Sequence, residues 1–202
     1  MAEWKLFEDE PPEPPGLLAG RGWMDLEGQP GFSQRADMVA RLARLVMALR
    51  PVESVTDLGC GDGSLLARLA PAVPAWGYDL GAADLAHGRA RGLDLREGDI
   101  TSGALDYGEM LIASEVAEHL ADPQGFLKSL PGSLLILSSP SLETGDWHNQ
   151  IHAWAWDLDG YADLVMRSGW QVAYQAECDG GLNCFDGVTG EQRFQAIVAV
   201  RQ

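Results

Sequence analysis

The stretch Val55-Thr56-Asp57-Leu58-Gly59-Cys60-Gly61-Asp62-Gly63 decides how the rest of the chain is read. Ahead of it, Pro51 marks the start of an apolar run in which Val52, Val55 and Leu58 suit a short buried strand over residues 52–58. Three glycines at alternate positions stop that strand. A segment rich in Leu, Ala and Arg follows over residues 64–69, predicts a helix, and is closed by Pro71. Strand, glycine turn and helix together bring backbone N–H groups and a helix N-terminus up to a ligand. Two ligand chemistries compete for such a turn, beside a plain tight turn with no ligand. A dinucleotide site wants Gly-x-Gly-x-x-Gly. Here the last position of that pattern is Ser64, and the third glycine arrives one residue early. Asp57 at the strand end would also repel a pyrophosphate. A ligand carrying an ammonium group suits the carboxylate better.

Composition narrows the partners. The chain has 202 residues, 46% hydrophobic and 22% charged, enough to bury one full core. No run of eighteen apolar residues occurs, so no membrane span is expected. Met1-Ala2-Glu3-Trp4-Lys5 lacks the basic-then-apolar pattern of a secretory signal. Three scattered cysteines, Cys60, Cys178 and Cys184, make no disulfide framework. A cytoplasmic location with reduced thiols is therefore expected. The net charge is −16, from 30 acidic and 14 basic side chains. A surface for long nucleic acid normally carries the opposite sign, so small molecules or a basic partner are favoured.

Residues 1–32 hold the cluster Glu8-Asp9-Glu10-Pro11-Pro12-Glu13-Pro14-Pro15-Gly16, which cannot be helix or central strand. They read as an N-terminal arm that either runs over the surface or, through Trp4, Leu6 and Phe7, covers the domain as a lid. Residues 33–202 read as a single domain. Ser33 is placed to cap a helix through Arg50, with Met38, Leu42, Leu45, Val46 and Leu49 on one face. Strands are expected at 75–80, 93–96, 110–113, 133–138, 170–177 and 193–201, and helices at 82–91, 123–130 and 161–168. The second strand ends in Asp79, twenty positions after Gly59, the interval at which Rossmann-type sites set an acid on ribose hydroxyls.

Two segments carry chemistry beyond the turn. Glu115-Val116-Ala117-Glu118-His119 follows the fourth strand, and the spacing i, i+3, i+4 predicts three polar groups on one side of a helical turn. Two carboxylates and an imidazole at that sheet edge can ligate a divalent cation, form a general base with its orienting partner, or simply cap and pack. Trp147-His148-Asn149-Gln150-Ile151-His152-Ala153-Trp154-Ala155-Trp156 follows the fifth strand and emerges at the same edge.

Asp57-x-Gly59-x-Gly61-x-Gly63 resembles the first motif of the class I S-adenosylmethionine-dependent methyltransferases, whose donor carries both an ammonium and a sulfonium. Gly98-Asp99-Ile100 is similar to a later motif of that family. The resemblance, over roughly residues 33–202, implies a Rossmann-like doubly wound α/β sheet of seven strands, mostly parallel, with the last strand antiparallel between the two before it. It implies that Asp57, Gly59, Cys60, Gly61, Asp79, Leu80, Asp99, Ile100 and Ser114 hold S-adenosylmethionine, with S-adenosylhomocysteine as product. Glu-x-x-Glu-His with a downstream His is similar to two groups, the ubiquinone-biosynthesis O-methyltransferases and the small-RNA 2′-O-methyltransferases. In the second, two Glu and two His bind a magnesium-type ion. Carried over, Glu115, Glu118, His119 and His152 would be the ligands of Mg2+ or Mn2+, with His148 as the fallback, and Glu115, Glu118 and His119 would be catalytic. The expected activity is O-methylation of a small hydroxylated acceptor by a monomer or homodimer. Methylation of small RNA, and donor binding without catalysis, stand as alternatives.

Overall fold

The computed structural model describes residues 4–6, 30–141, 152–185 and 188–201, and of residues 4–6, 30–32, 179–185 and 188–192 it describes the backbone. His148 and the Pro- and acid-rich cluster of the arm fall outside the described residues.

The elements run β1 (Trp4–Leu6), α1 (Pro30–Leu49), β2 (Val55–Leu58), α2 (Ser64–Leu69), β3 (Ala75–Asp79), α3 (Ala82–Ala90), β4 (Leu95–Glu97) and β5 (Met110–Ser114). After a 3-10 turn (Ala117–His119) come α4 (Pro123–Ser129), β6 (Leu134–Pro140), β7 (Trp154–Trp156), α5 (Leu158–Arg167), β8 (Gln171–Phe185) and β9 (Val188–Val200). Seven strands form one sheet in the order β4-β3-β2-β5-β6-β9-β8. The first five pair in parallel, and β9 inserts antiparallel between β6 and β8. This is the doubly wound topology implied by the glycine-turn resemblance.

Alternation along the strands assigns each side chain to a face, because successive residues of a strand point opposite ways. Met110 and Ile112 of β5, Leu134 and Ile136 of β6 and Val198 of β9 join the core beneath α1 and α2. Their neighbours Leu111, Ala113, Leu135, Leu137, Ile197 and Ala199 join the opposite core, under α4 and α5 with Trp156, Tyr161 and Trp170. Each buried aliphatic side chain contributes about 2 kcal/mol, so both faces are held strongly. Where β2 and β3 end and β4 begins, α3 closes a third, smaller cluster of Cys60, Leu66, Leu85 and Leu95.

Element ends differ in instructive ways. α1 begins at Pro30, three residues before Ser33, and the Ser33 hydroxyl accepts from Arg68 (3.2 Å). Proline in a first turn loses no helical hydrogen bond, so it can open a helix. α5 begins at Leu158 because Asp157 caps it, its carboxylate accepting from the Gly160 amide at 2.6 Å. β8 runs on past the expected end at 177 to Phe185, and within it Leu182 and Asn183 pair with Glu191 and Gly190. Two short strands were not anticipated: β1 and β7 pair antiparallel as a separate ribbon, with Lys5 opposite Ala155. Among the described residues no helix is long and apolar enough to cross a membrane.

Candidate active site

The site lies along the C-terminal ends of β2, β3, β5 and β6, the edge at which open α/β sheets bind ligands. Gly59, Gly61 and Gly63 all take positive φ (78°, 52° and 80°), conformations that side chains disfavour. The turn is tied down by its own amides. Gly59 and Cys60 both donate to the Tyr78 carbonyl (2.8 and 3.0 Å), and Gly63 donates to Cys60 O. Gly61 N donates to Asp79 Oδ2 at 2.8 Å, while Asp79 Oδ1 accepts from Gly81 N at 2.8 Å. Asp79 thus spans from the turn to the start of α3. A Cβ on Gly61 would meet nothing within 4 Å, so the turn is open to a ligand there. At Gly59 the same atom would come within 2.6 Å of a Val116 methyl, so the turn is closed on that side by the segment after β5.

Asp57 sits beneath the turn with 2% of its surface exposed. Burial, then the nearby Asp79 charge, pushes its carboxyl up to about 7. A cation beside it would reverse that effect. The residues therefore fit the ammonium end of S-adenosylmethionine: a buried, uphill carboxylate under an open left-handed turn, with a second acid one strand away.

The other expected cofactor residues stand along the same edge. Leu80 is half-buried just past β3. Asp99 accepts from both the amide and the hydroxyl of Thr101 (2.8 and 2.7 Å), an ordinary Asx turn. Ile100 packs on the edge of the α4/α5 core. Cys60 is buried, which raises its thiol pKa well above the usual range, chiefly by desolvation. Ser114 Oγ lies 2.8 Å from Ser138 Oγ, which itself donates to Glu115 Oε1 at 2.8 Å. Because Ser138 has one hydroxyl proton, Ser114 must be the donor in the first contact.

The segment after β5 does not form the α-helical turn its spacing suggests. Glu115 has φ 58°, the one non-glycine among the described residues in the left-handed region, and only Ala117–His119 coil, as a 3-10 turn. Glu115 is thereby swung to another partner. Its Oε2 accepts from Arg35 Nη1 of α1 at 2.6 Å, and its Oε1 from Ser138. Glu118, His119 and His152 do converge: one ligand atom from each lies within 4.8 Å of the others. The His119 and His152 rings meet edge to face, 4.7 Å between centroids. Glu118 is fully buried and His152 nearly so. Ligands about 2.1 Å from one ion stand roughly 3–4 Å apart, so small side-chain shifts would let one carboxylate and two imidazoles share a cation. Oxygen and imidazole donors suit Mn2+, Fe2+ or Zn2+ at least as well as Mg2+.

Sequence reasoning passed over Arg35, Ser138 and Tyr161. Tyr161 donates to the Ser138 carbonyl at 3.1 Å. Burial first, then the Glu118 and Glu115 charges, drive its phenol pKa well above the usual range, so it stays protonated. Arg35 carried a weak signal: it is a lone cation on the apolar side of the first amphipathic helix.

A seven-stranded sheet with this order and this glycine turn is the fold of the class I S-adenosylmethionine-dependent methyltransferases. A family model described as methionine biosynthesis protein MetW matches residues 35–123, taking in the turn, Asp79, Asp99 and Glu118-His119 but not His152. No curated protein matches the chain. Among solved structures, magnesium protoporphyrin IX methyltransferase (ChlM) from Synechocystis PCC 6803 with bound SAH aligns at TM-score 0.64 and 16% identity, over 92% of this chain and 91% of that one. The glycopeptide N-methyltransferase MtfA complexed with S-adenosylmethionine aligns at TM-score 0.60 and 19% identity, over 81% and 94%. The [4+2]-cyclase SpnF aligns at TM-score 0.64 and 14% identity, over 86% and 83%. At such identities the likeness is one of fold, and the acceptor must be argued from the site.

Proposed function

We propose that the chain methylates a hydroxyl of a small molecule, with S-adenosylmethionine as donor and Glu118, His119 and His152 at the acceptor end. The observation that carries this is the convergence of those three side chains, two of them, Glu118 and His119, on the segment whose Val116 methyl abuts Gly59. The donor supplies an activated methyl group on its sulfonium. Asp57 meets the ammonium end, and Asp79, released from Gly61 N, accepts from the ribose hydroxyls. A buried Glu118 beside two imidazoles can take the acceptor's proton as methyl transfer proceeds, and the two rings can orient the nucleophile. The same three residues would hold Mg2+ or Mn2+, which would lower the pKa of an acceptor hydroxyl. Glu115 supports the group indirectly, since its carboxylate is engaged by Arg35 and Ser138. The −16 charge favours a small acceptor over RNA.

Release of S-adenosylhomocysteine across a panel of hydroxylated metabolites, with and without Mn2+, tests the reading. Turnover by the wild type that is lost in Glu118→Gln and His119→Ala supports it. Turnover untouched by both substitutions would contradict it.

A further inference from the structure

The ribbon formed by β1 and β7 has no part in the seven-stranded sheet, yet it adjoins the acceptor cluster. β7 begins two residues after His152. Between them, Ala153 N donates to the Glu118 carbonyl at 2.8 Å, and the Trp154 indole donates to the Leu120 carbonyl at 2.9 Å. These two bonds tie β7 to the 3-10 turn that carries Glu118 and His119. β7 is also paired antiparallel with β1, in the register Trp4↔Trp156, Lys5↔Ala155, Leu6↔Trp154. A three-residue strand hydrogen-bonded on one side only is marginal, and a second strand supplies the missing ladder.

We infer that the N-terminal strand Trp4–Leu6 is a positioning element for the acceptor site: by pairing with Trp154–Trp156 it holds His152 against Glu118 and His119. The inference deepens the methyltransferase reading and rests on it for the meaning of the cluster. The strand acts through its main-chain pairing with β7.

The test uses the full chain with residues 1–6 deleted, and separately Lys5→Pro and Leu6→Pro, because only alternate N–H groups of a strand face its partner. Lys5→Thr, which keeps the backbone donor, is the control. Indole and amide hydrogen exchange by NMR gives the readout. The Trp154 indole and Ala153 amide report β7 docking. The Trp170 indole, which donates to Leu127 O at 2.9 Å in the opposite core, reports the fold. Loss of protection at Trp154 and Ala153 in the deletion and in at least one proline variant, with altered His119 and His152 ring signals and a retained Trp170 signal, is expected. Protection unchanged in all three variants would overturn the inference. So would loss of Trp170 together with Trp154 in every variant, because β1 would then be part of the core. None of these signals depends on donor or cation, so this result and the fate of the methyltransferase reading are told apart.

Discussion

Arg35 Nη1 lies 2.6 Å from Glu115 Oε2, an ion pair that joins α1 to the end of β5, with side chains only 9% and 17% exposed. The Arg35 guanidinium also stands 5.9 Å from the Phe194 ring, which places it over β9. Glu115 stands in a left-handed backbone, and its carboxylate is outside the Glu118–His119–His152 group. Removing Arg35 would leave a largely buried carboxylate uncompensated. Arg35→Ala is expected to cost about 3 kcal/mol in urea unfolding, and Arg35→Ala with Glu115→Gln should recover part of that loss. Equal destabilisation by the single and double variants would mean the ion pair is not the source.

Gly59 and Gly61 separate two effects of the same turn. Both have positive φ, so alanine at either costs about 1 kcal/mol of backbone strain. At Gly59 the new Cβ also presses on Val116, whereas at Gly61 it enters open space. Gly59→Ala is expected to lower the melting temperature more than Gly61→Ala. Gly61→Ala should nonetheless weaken S-adenosylhomocysteine binding, since its methyl occupies the opening. Thermal scans and titration calorimetry on the two variants check both halves.

Asp57 gives a pH dependence with a definite sign. Its folded pKa of about 7 stands above the ordinary 3.8, so between those values the folded chain holds a proton that the unfolded chain has lost. The stability of the ligand-free protein therefore falls as pH rises through that window, by up to about 4 kcal/mol, and is flat above it. Binding runs the other way. An ammonium needs the ionised carboxylate, so affinity for S-adenosylhomocysteine should rise up to about tenfold per unit until pH nears 7. In Asp57→Asn the stability slope should disappear.

The Glu118–His119–His152 group predicts a metal titration. Wild-type protein dialysed against Mn2+ is expected to retain the ion, and Glu118→Gln, His119→Ala and His152→Ala each to release it. Glu115→Gln should retain it, because Glu115 faces Arg35 and Ser138. Electron paramagnetic resonance of the bound and released ion reads the difference. Retention by all the variants would remove the cluster from metal binding.

The sheet and its turn were readable because they depend on local rules. Positive φ at Gly59, Gly61 and Gly63 needs glycine, and the alternation of Met110-Leu111-Ile112-Ala113 between two cores follows from strand geometry. The acceptor cluster was readable in part. Glu118 and His119 are neighbours in any coil, but Glu115 joins them only in an α-helix, and a single left-handed residue breaks that spacing. His152 was read from its similarity to a family motif. The β1–β7 ribbon was not legible, since two three-residue strands paired across most of the chain leave no periodic signal. Nor did sequence show that the Gly59, Cys60 and Gly61 amides would be occupied by Tyr78 and Asp79, for that contact belongs to the register of β2 on β3.

In the proposed reading, the open turn over Asp57 receives the cationic end of a methyl donor. Isothermal titration of the full chain with S-adenosylhomocysteine near pH 8 measures it most directly. One-to-one binding that is lost in Asp57→Asn and weakened in Gly61→Ala is the expected result. No heat at millimolar ligand, or binding of a nicotinamide dinucleotide in its place, would contradict it.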